Sequence, residues 1–262
     1  MLSARLRAQI DGKKTRLDSL RPWPKAVAAE LWKTMTLEWI HNSNALEGNS
    51  FTFDQTKLVL EGGGTIEGKS LREHQEVTNH RQAIDYIETI IRRHRPIDGH
   101  TVRQIHYLLF VGINDEEAGR YRRSPVIAKV DYLPARPSQI RGELRELLIW
   151  LRKEGRLLHP VERAAIAHYK LRCIYPFKEG NELTARCLMN LLLLRQGYPP
   201  AIILKAHARV YDGALAKAHG GDLAPLVRLI GEVVGRYLSI YLKALGSSEE
   251  EGTAVEEVAE GF

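Results

Sequence analysis

The residues whose types and spacing could do chemistry lie together in one stretch, Ile174-Tyr175-Pro176-Phe177-Lys178-Glu179-Gly180-Asn181-Glu182-Leu183-Thr184-Ala185-Arg186. It is a short polar loop holding two carboxylates, a phenol and a Gly-Asn pair, followed by an arginine. Asn is a favoured helix N-cap, and the free N–H groups of a buried helix start form a natural anion site, so Gly180-Asn181 reads as a place for a phosphate. Cys173 and Cys187 flank the loop without metal-ligand spacing and are read as reduced packing residues.

Two helices must position this loop. Upstream, Val161, Ala164, Ala165, His168, Leu171 and Ile174 recur at three- and four-residue intervals, one face of an amphipathic helix that stops at Pro176. Downstream, Leu183 to Leu194 is apolar nearly all round, as in a helix buried mid-domain. The same reading predicts a basic amphipathic helix carrying Leu2, Leu6, Ile10, Leu17 and Leu20, and further helices over Pro24–Leu46, Phe53–Glu61, Leu71–His94, Asp98–Val111, Pro137–Lys153, His207–His219 and Leu223–Leu245. The single β signal is Gly119–Pro137, centred on Val126-Ile127-Ala128-Lys129-Val130-Asp131-Tyr132. A formal phosphate-loop pattern, Gly63 through Gly68-Lys69-Ser70, follows a predicted helix where that motif needs a strand, so it reads as a plain helix-to-helix connection.

A chain of 262 residues that is 44% hydrophobic and 27% charged can bury the core of one large or two small soluble domains. There is no uninterrupted apolar run of about 18 residues and no apolar leader at Met1-Leu2-Ser3-Ala4-Arg5, so a cytoplasmic location is expected. Residues 249–262 hold six Glu and no Lys or Arg, which leaves the rest of the chain more basic than the overall +6. A basic body could meet nucleic acid or an acidic protein partner, but the Lys and Arg residues are scattered over many helices, so a solvated cationic surface is expected. The acidic end, from Ser247, is expected to be disordered.

Pro176, Phe177, Gly180, Asn181 and Arg186 match, in register, the signature of the Fic family: His-Pro-Phe, two residues, Gly-Asn-Gly-Arg, two residues, Arg. Glu179 stands at the family's acidic position. Tyr175 replaces the His, Glu182 the second Gly and Leu183 the first Arg. Ser43-Asn44-Ala45-Leu46-Glu47-Gly48-Asn49 resembles the family's inhibitory motif, in which the Glu meets the second signature Arg, here Arg186. Gly119-Arg120-Tyr121-Arg122 is also similar to the family.

The resemblance implies an all-α, Fic-type helical bundle with a small β-hairpin flap that includes Val126, Ile127, Ala128 and Lys129. It divides the chain into an N-terminal helical region with an inhibitory-type helix (1–95), a Fic core with C-terminal helices (96–246) and the acidic tail (247–262). It implies transfer of AMP from ATP to protein hydroxyls, with Mg²⁺ on Glu179, phosphates at Gly180, Asn181 and Arg186, and adenine near Tyr211. Asp212 and His219 fall where the family has a second Tyr and an Asn. His168 falls where a His is common and is expected to be structural.

The departures predict impaired chemistry. A phenol titrates near ~10 against ~6.5 for imidazole, so about 0.1% of Tyr175 would be deprotonated at pH 7, and general-base catalysis is worth roughly 10² to 10⁴. Glu182 adds a negative charge and Leu183 removes a positive one where a triphosphate would sit, which should weaken ATP binding. The expected function is therefore a Fic-fold relative of the protein adenylyltransferases that acts by binding a protein partner. The alternative is an active enzyme with altered nucleotidyl- or phospho-group transfer. Nucleic acid and membrane are not expected partners, and a homodimer stays open.

Overall fold

The computed structural model describes residues 1–126 and 133–259, with residues 247–259 described as backbone only. Ten α-helices, α1 (Ala4–Ser19), α2 (Lys25–Leu46), α3 (Phe53–Gly62), α4 (Leu71–Arg92), α5 (Gly99–Phe110), α6 (Ile140–Arg152), α7 (Pro160–Ile174), α8 (Asn181–Arg195), α9 (Ala208–His219) and α10 (Ala224–Ala259), make up the described fold with two short 3₁₀ turns. Each helix read from the sequence is present, with ends moved by a few residues except at the C-terminus of α10.

The helix starts follow local capping chemistry. Ser3, Thr52, Ser70 and Asp98 each accept an amide hydrogen from the first turn of the helix they precede, and the last three form reciprocal capping boxes. The Gly63–Ser70 stretch is spent in this way. Gly63 ends α3 in the left-handed region, Ser70 caps α4, and Lys69 Nζ donates to the Ser50 carbonyl at 2.8 Å. No phosphate cradle forms there.

α8 is the axle. Twelve of its residues are buried, Leu183 through Leu193 without interruption, and α7 packs along it. α2, α4 and α5 pack against other parts of α8, α10 packs on α7, and α1 lies on α10. The α1–α10 contact is close: a Cβ at Gly231 would come within 2.6 Å of Leu2 and 3.1 Å of Leu6. Buried side chains from Ile10 to Leu245 form one continuous apolar cluster.

α2 changes character along its length. Leu31, Met35, Trp39 and Ile40 are its apolar core face, but three of the four buried residues that follow are polar, Asn42, Ser43 and Asn44. Buried polar groups need partners, and the last turn of α2 finds them on α4 and α8.

Among the described residues there is no strand. The hairpin expected over Val126–Tyr132 falls almost wholly outside them: Val126 is described and is not in a strand, while Ile127, Ala128 and Lys129 lie outside the described residues.

Candidate functional site

The loop between α7 and α8 is shaped from outside through its backbone. α7 ends on Tyr175, a non-glycine residue in the left-handed region at φ 50°, and Pro176 prevents the helix from continuing. The Arg122 backbone N–H donates to the Pro176 carbonyl (3.0 Å), and its Nε donates to the Tyr175 carbonyl (2.7 Å). The Asn181 side chain closes the other end, accepting from the Phe177 N–H and donating to the Phe177 carbonyl, each at 2.9 Å. Asn181 is therefore the first helical residue and a loop clasp. The N-cap expected there is Gly180, at φ 71°, where a Cβ would lie 2.0 Å from the Phe110 ring.

His106 completes the clamp. Its ring stacks on Phe177 at 3.7 Å, Nδ1 accepts from the Gly119 N–H (2.9 Å), and Nε2 must then carry the proton donated to the Glu179 carbonyl (3.1 Å). Burial lowers its pKa to about 4, so the ring is neutral at pH 7.

Arg186 is the buried charge at the centre of the site. Its Nε donates to Ser43 Oγ (2.8 Å), and Nη2 donates both to the Ser43 carbonyl (2.9 Å) and to Glu47 Oε1 (2.7 Å). Burial disfavours the cation, yet the Glu47 carboxylate, placed at the end of α2, holds its pKa above the ordinary value. The pairing of Glu47 with Arg186 that the resemblance implied is present in the geometry, and Ser43 adds two bonds to the same guanidinium.

The charge expected of Glu182 needs correcting. Its carboxylate forks onto Arg172 Nε, with Oε1 at 2.7 Å and Oε2 at 2.8 Å, so the added negative charge comes with a cation from α7. Arg172 Nη1 also donates to His219 Nε2 (2.7 Å), whose Nδ1 meets the Tyr169 hydroxyl (3.1 Å), which donates to the Ala218 carbonyl (3.0 Å). Leu183, in place of an arginine, turns into the core and is buried.

A cavity of about 300 Å³ lies over these groups. Its charged lining is balanced: Glu47, Glu182 and Asp212 against Arg172, Arg186 and Lys205. Tyr175 and Tyr211 complete its polar wall. Burial and the neighbouring Glu182 push the Tyr175 phenol above its ordinary pKa, away from any role as a base at neutral pH. The Tyr211 hydroxyl lies 2.7 Å from Nε2 of the buried His168, whose pKa burial lowers to about 3.

Glu179 does not line this cavity. Asn114 Nδ2 donates to its Oε1 (2.8 Å) and Arg72 Nη2 to its Oε2 (2.9 Å). Burial opposes its charge, but those two partners prevail and its pKa is lowered. Among the described residues no group of three or more His, Cys, Asp or Glu is placed to hold a metal ion. Glu179 is engaged by Arg72 and Asn114, while Glu47 and Glu182 stand on Arg186 and Arg172 at the cavity.

Sequence reasoning missed Arg72, His106, Asn114 and Arg172, and it singled out Arg122 only as part of a family-like stretch, without its hold on the loop. The detectable signals were Arg172 and His106 on otherwise apolar helix faces; Arg72 and Asn114 carried none, because their partner lies far along the chain.

The Fic/DOC family model matches residues 96–193. The chain is 35% identical over 240 residues to a protein adenylyltransferase Fic of Nematostella vectensis, covering 89% of this chain and 55% of the relative. It is 36% identical to one of Aedes aegypti, covering 90% and 47%. The chain thus spans about half the length of the curated relatives it matches. Solved Fic-1 from C. elegans superposes with a TM-score of 0.81 at 31% identity, over 91% of this chain and 70% of that one. A Fic-domain signalling protein of Bacteroides thetaiotaomicron superposes with a TM-score of 0.83 at 28% identity, over 91% and 97%. With its clamped loop, its α2 carboxylate on Arg186 and these matches, the chain belongs to the Fic/DOC family.

Proposed function

We propose that this chain is a Fic-fold relative of the protein adenylyltransferases whose AMP-transfer site is shut and chemically impaired, and that it works by binding a protein partner. The observation that carries this reading is the Arg172–Glu182 fork beside the Glu47–Arg186 pair, which occupies two of the cavity's three cations with the protein's own carboxylates. Tyr175 in place of the base supports it, as its proton is held more tightly than an ordinary phenol's. In this reading Ser43 and Glu47 are the inhibitory residues. Glu179, Gly180, Asn181 and Tyr211 keep the family's positions without an assembled nucleotide site.

Calorimetric titration with ATP and Mg²⁺ tests the proposal. A dissociation constant above roughly 1 mM, about −4 kcal/mol, is expected, and micromolar affinity would overturn it.

A second reading has one observation in its favour. α8 starts on Gly180 with no side-chain cap, so its first amides remain available to an anion. Burial raises the pKa of the Glu182 carboxyl, and a protonated Glu182 would free the charge of Arg172 for a phosphate-containing donor other than ATP. The chain would then be an enzyme with altered group-transfer chemistry, and a mass shift on co-expressed proteins would establish it.

A further inference from the structure

A second charged surface lies outside the cavity. The start of α5, the segment 119–123 and the start of α6 enclose two adjoining concavities of about 310 and 340 Å³ that share Arg103, Tyr121 and Arg141. Arg120 and Arg123 line the first, and Arg145 and His100 line the second. Among the described residues, no Asp or Glu lines either one.

Some exposed arginines elsewhere on the protein sit in ion pairs, and others, such as Arg5 and Arg16, form none among the described residues; those here are set apart by lining one concave surface together. Arg7, Arg81 and Arg228 each pair with a carboxylate four residues on, and Arg72 reaches Glu76 and Glu179. Arg103, Arg120, Arg123, Arg141 and Arg145 form no ion pair among the described residues. Arg103 and Arg141 stand instead over the Tyr121 ring, their guanidinium carbons 5.9 and 5.8 Å from its centre. The ring is fixed underneath by its hydroxyl on the Gly99 carbonyl (3.4 Å).

Of the neighbouring carboxylates, Asp98 and Glu117 are engaged elsewhere. Asp98, whose charge Tyr121 senses, caps α5 through Thr101. Arg120 and Arg123 also border a third concavity with Glu116 and Glu117, where Glu117 faces Lys178 at 3.5 Å. Like charges collected on one concave surface repel one another, and they concentrate an anionic partner there.

We propose that the groove of Arg103, Arg120, Arg123, Arg141 and Arg145 around Tyr121 docks a short acidic stretch of the protein partner, a run of Asp and Glu side chains. This rests on the reading that the chain takes a protein partner and names that partner's chemistry. Guanidinium forks gathered around one ring suit carboxylates on successive side chains, which they grip in pairs of hydrogen bonds. Two small pockets, rather than a basic stripe along the molecule, favour a peptide over a nucleic-acid backbone.

The test is fluorescence anisotropy of a labelled ten-residue Asp/Glu peptide on the full chain, without nucleotide, across a range of salt concentrations. Arg103→Glu with Arg141→Glu should weaken binding by about tenfold or more and flatten its salt dependence. Arg5→Glu with Arg16→Glu on exposed α1 makes the same charge change and should leave the affinity as it was. Arg103→Gln with Arg141→Gln, checked for an unchanged melting temperature, should fall between wild type and the Glu pair. Equal weakening by both Glu pairs, or no binding to the wild-type chain, overturns the proposal. Tighter binding of a duplex oligonucleotide through the same arginines overturns it in favour of nucleic acid. No ATP is present, so the result is independent of the state of the transfer site.

Discussion

Glu47→Ala should destabilise the fold by about 2 kcal/mol. Removing one member of a fully buried ion pair costs roughly 3 to 5 kcal/mol, because the other charge is left uncompensated. Here the Arg186 side chain is 4% exposed and that of Glu47 33%, so only one end of the pair is fully desolvated. Arg186 also keeps its two bonds to Ser43 when Glu47 is gone. The loss then approaches that of a single charged hydrogen bond, roughly 1.5 to 3 kcal/mol. Urea unfolding at constant m-value is the assay, with a melting temperature lowered by roughly 4 to 8 °C as the companion reading. Glu47→Gln keeps an acceptor without the charge and should cost about half as much. Adding Arg186→Met to Glu47→Ala should recover part of the loss, since replacing both partners removes the orphaned charge. A Glu47→Ala loss below about 0.5 kcal/mol, with the m-value unchanged, would refute the claim that Glu47 neutralises Arg186 in the folded protein.

Gly180→Ala should cost at least about 2 kcal/mol, read by the same urea midpoints, because the methyl group meets the Phe110 ring and the residue sits at positive φ. Stability should also fall on acidification from about pH 6.5 towards pH 5. His80, His106 and His168 are buried and neutral, with pKa values lowered to about 3, about 4 and about 3, whereas in the unfolded chain they titrate near ~6.5. Below that value the unfolded state binds more protons. Each of the three therefore withdraws roughly 1.4 kcal/mol per pH unit, opposed only in part by carboxyls with raised pKa values such as Glu182. Unfolding midpoints that stay flat between pH 7.5 and 5 would show that these rings are not held neutral.

The helices were legible in the sequence because three- and four-residue apolar spacing records burial directly. The run from Leu183 to Leu193 could only be a central helix. The pairing of Glu47 with Arg186 was legible only through a family motif, because their 139-residue separation leaves no local trace. Glu182 shows where a residue-by-residue reading fails. Taken alone it adds a charge, but its partner Arg172 sits one turn before the loop on the preceding helix, and only folding brings the two together. Asn181 was placed one position early for a related reason: its capping preference was real, but its amide is drawn to the Phe177 backbone, and the glycine before it takes the cap.

The α7–α8 loop is gripped at the carbonyls of Tyr175, Pro176, Phe177 and Glu179 by groups on Arg122, Asn181 and His106. Every amino acid carries a carbonyl, so a grip of this kind does not depend on which side chain the gripped residue bears. Shape and chemistry are thereby decoupled in this loop: the letter at 175 or 179 can change while the path of the chain stays as it was. The same decoupling makes the loop a mount for grafting. A residue exchanged at 175 would be presented at the same point in space, with the clamps at Arg122, Asn181 and His106 left in place.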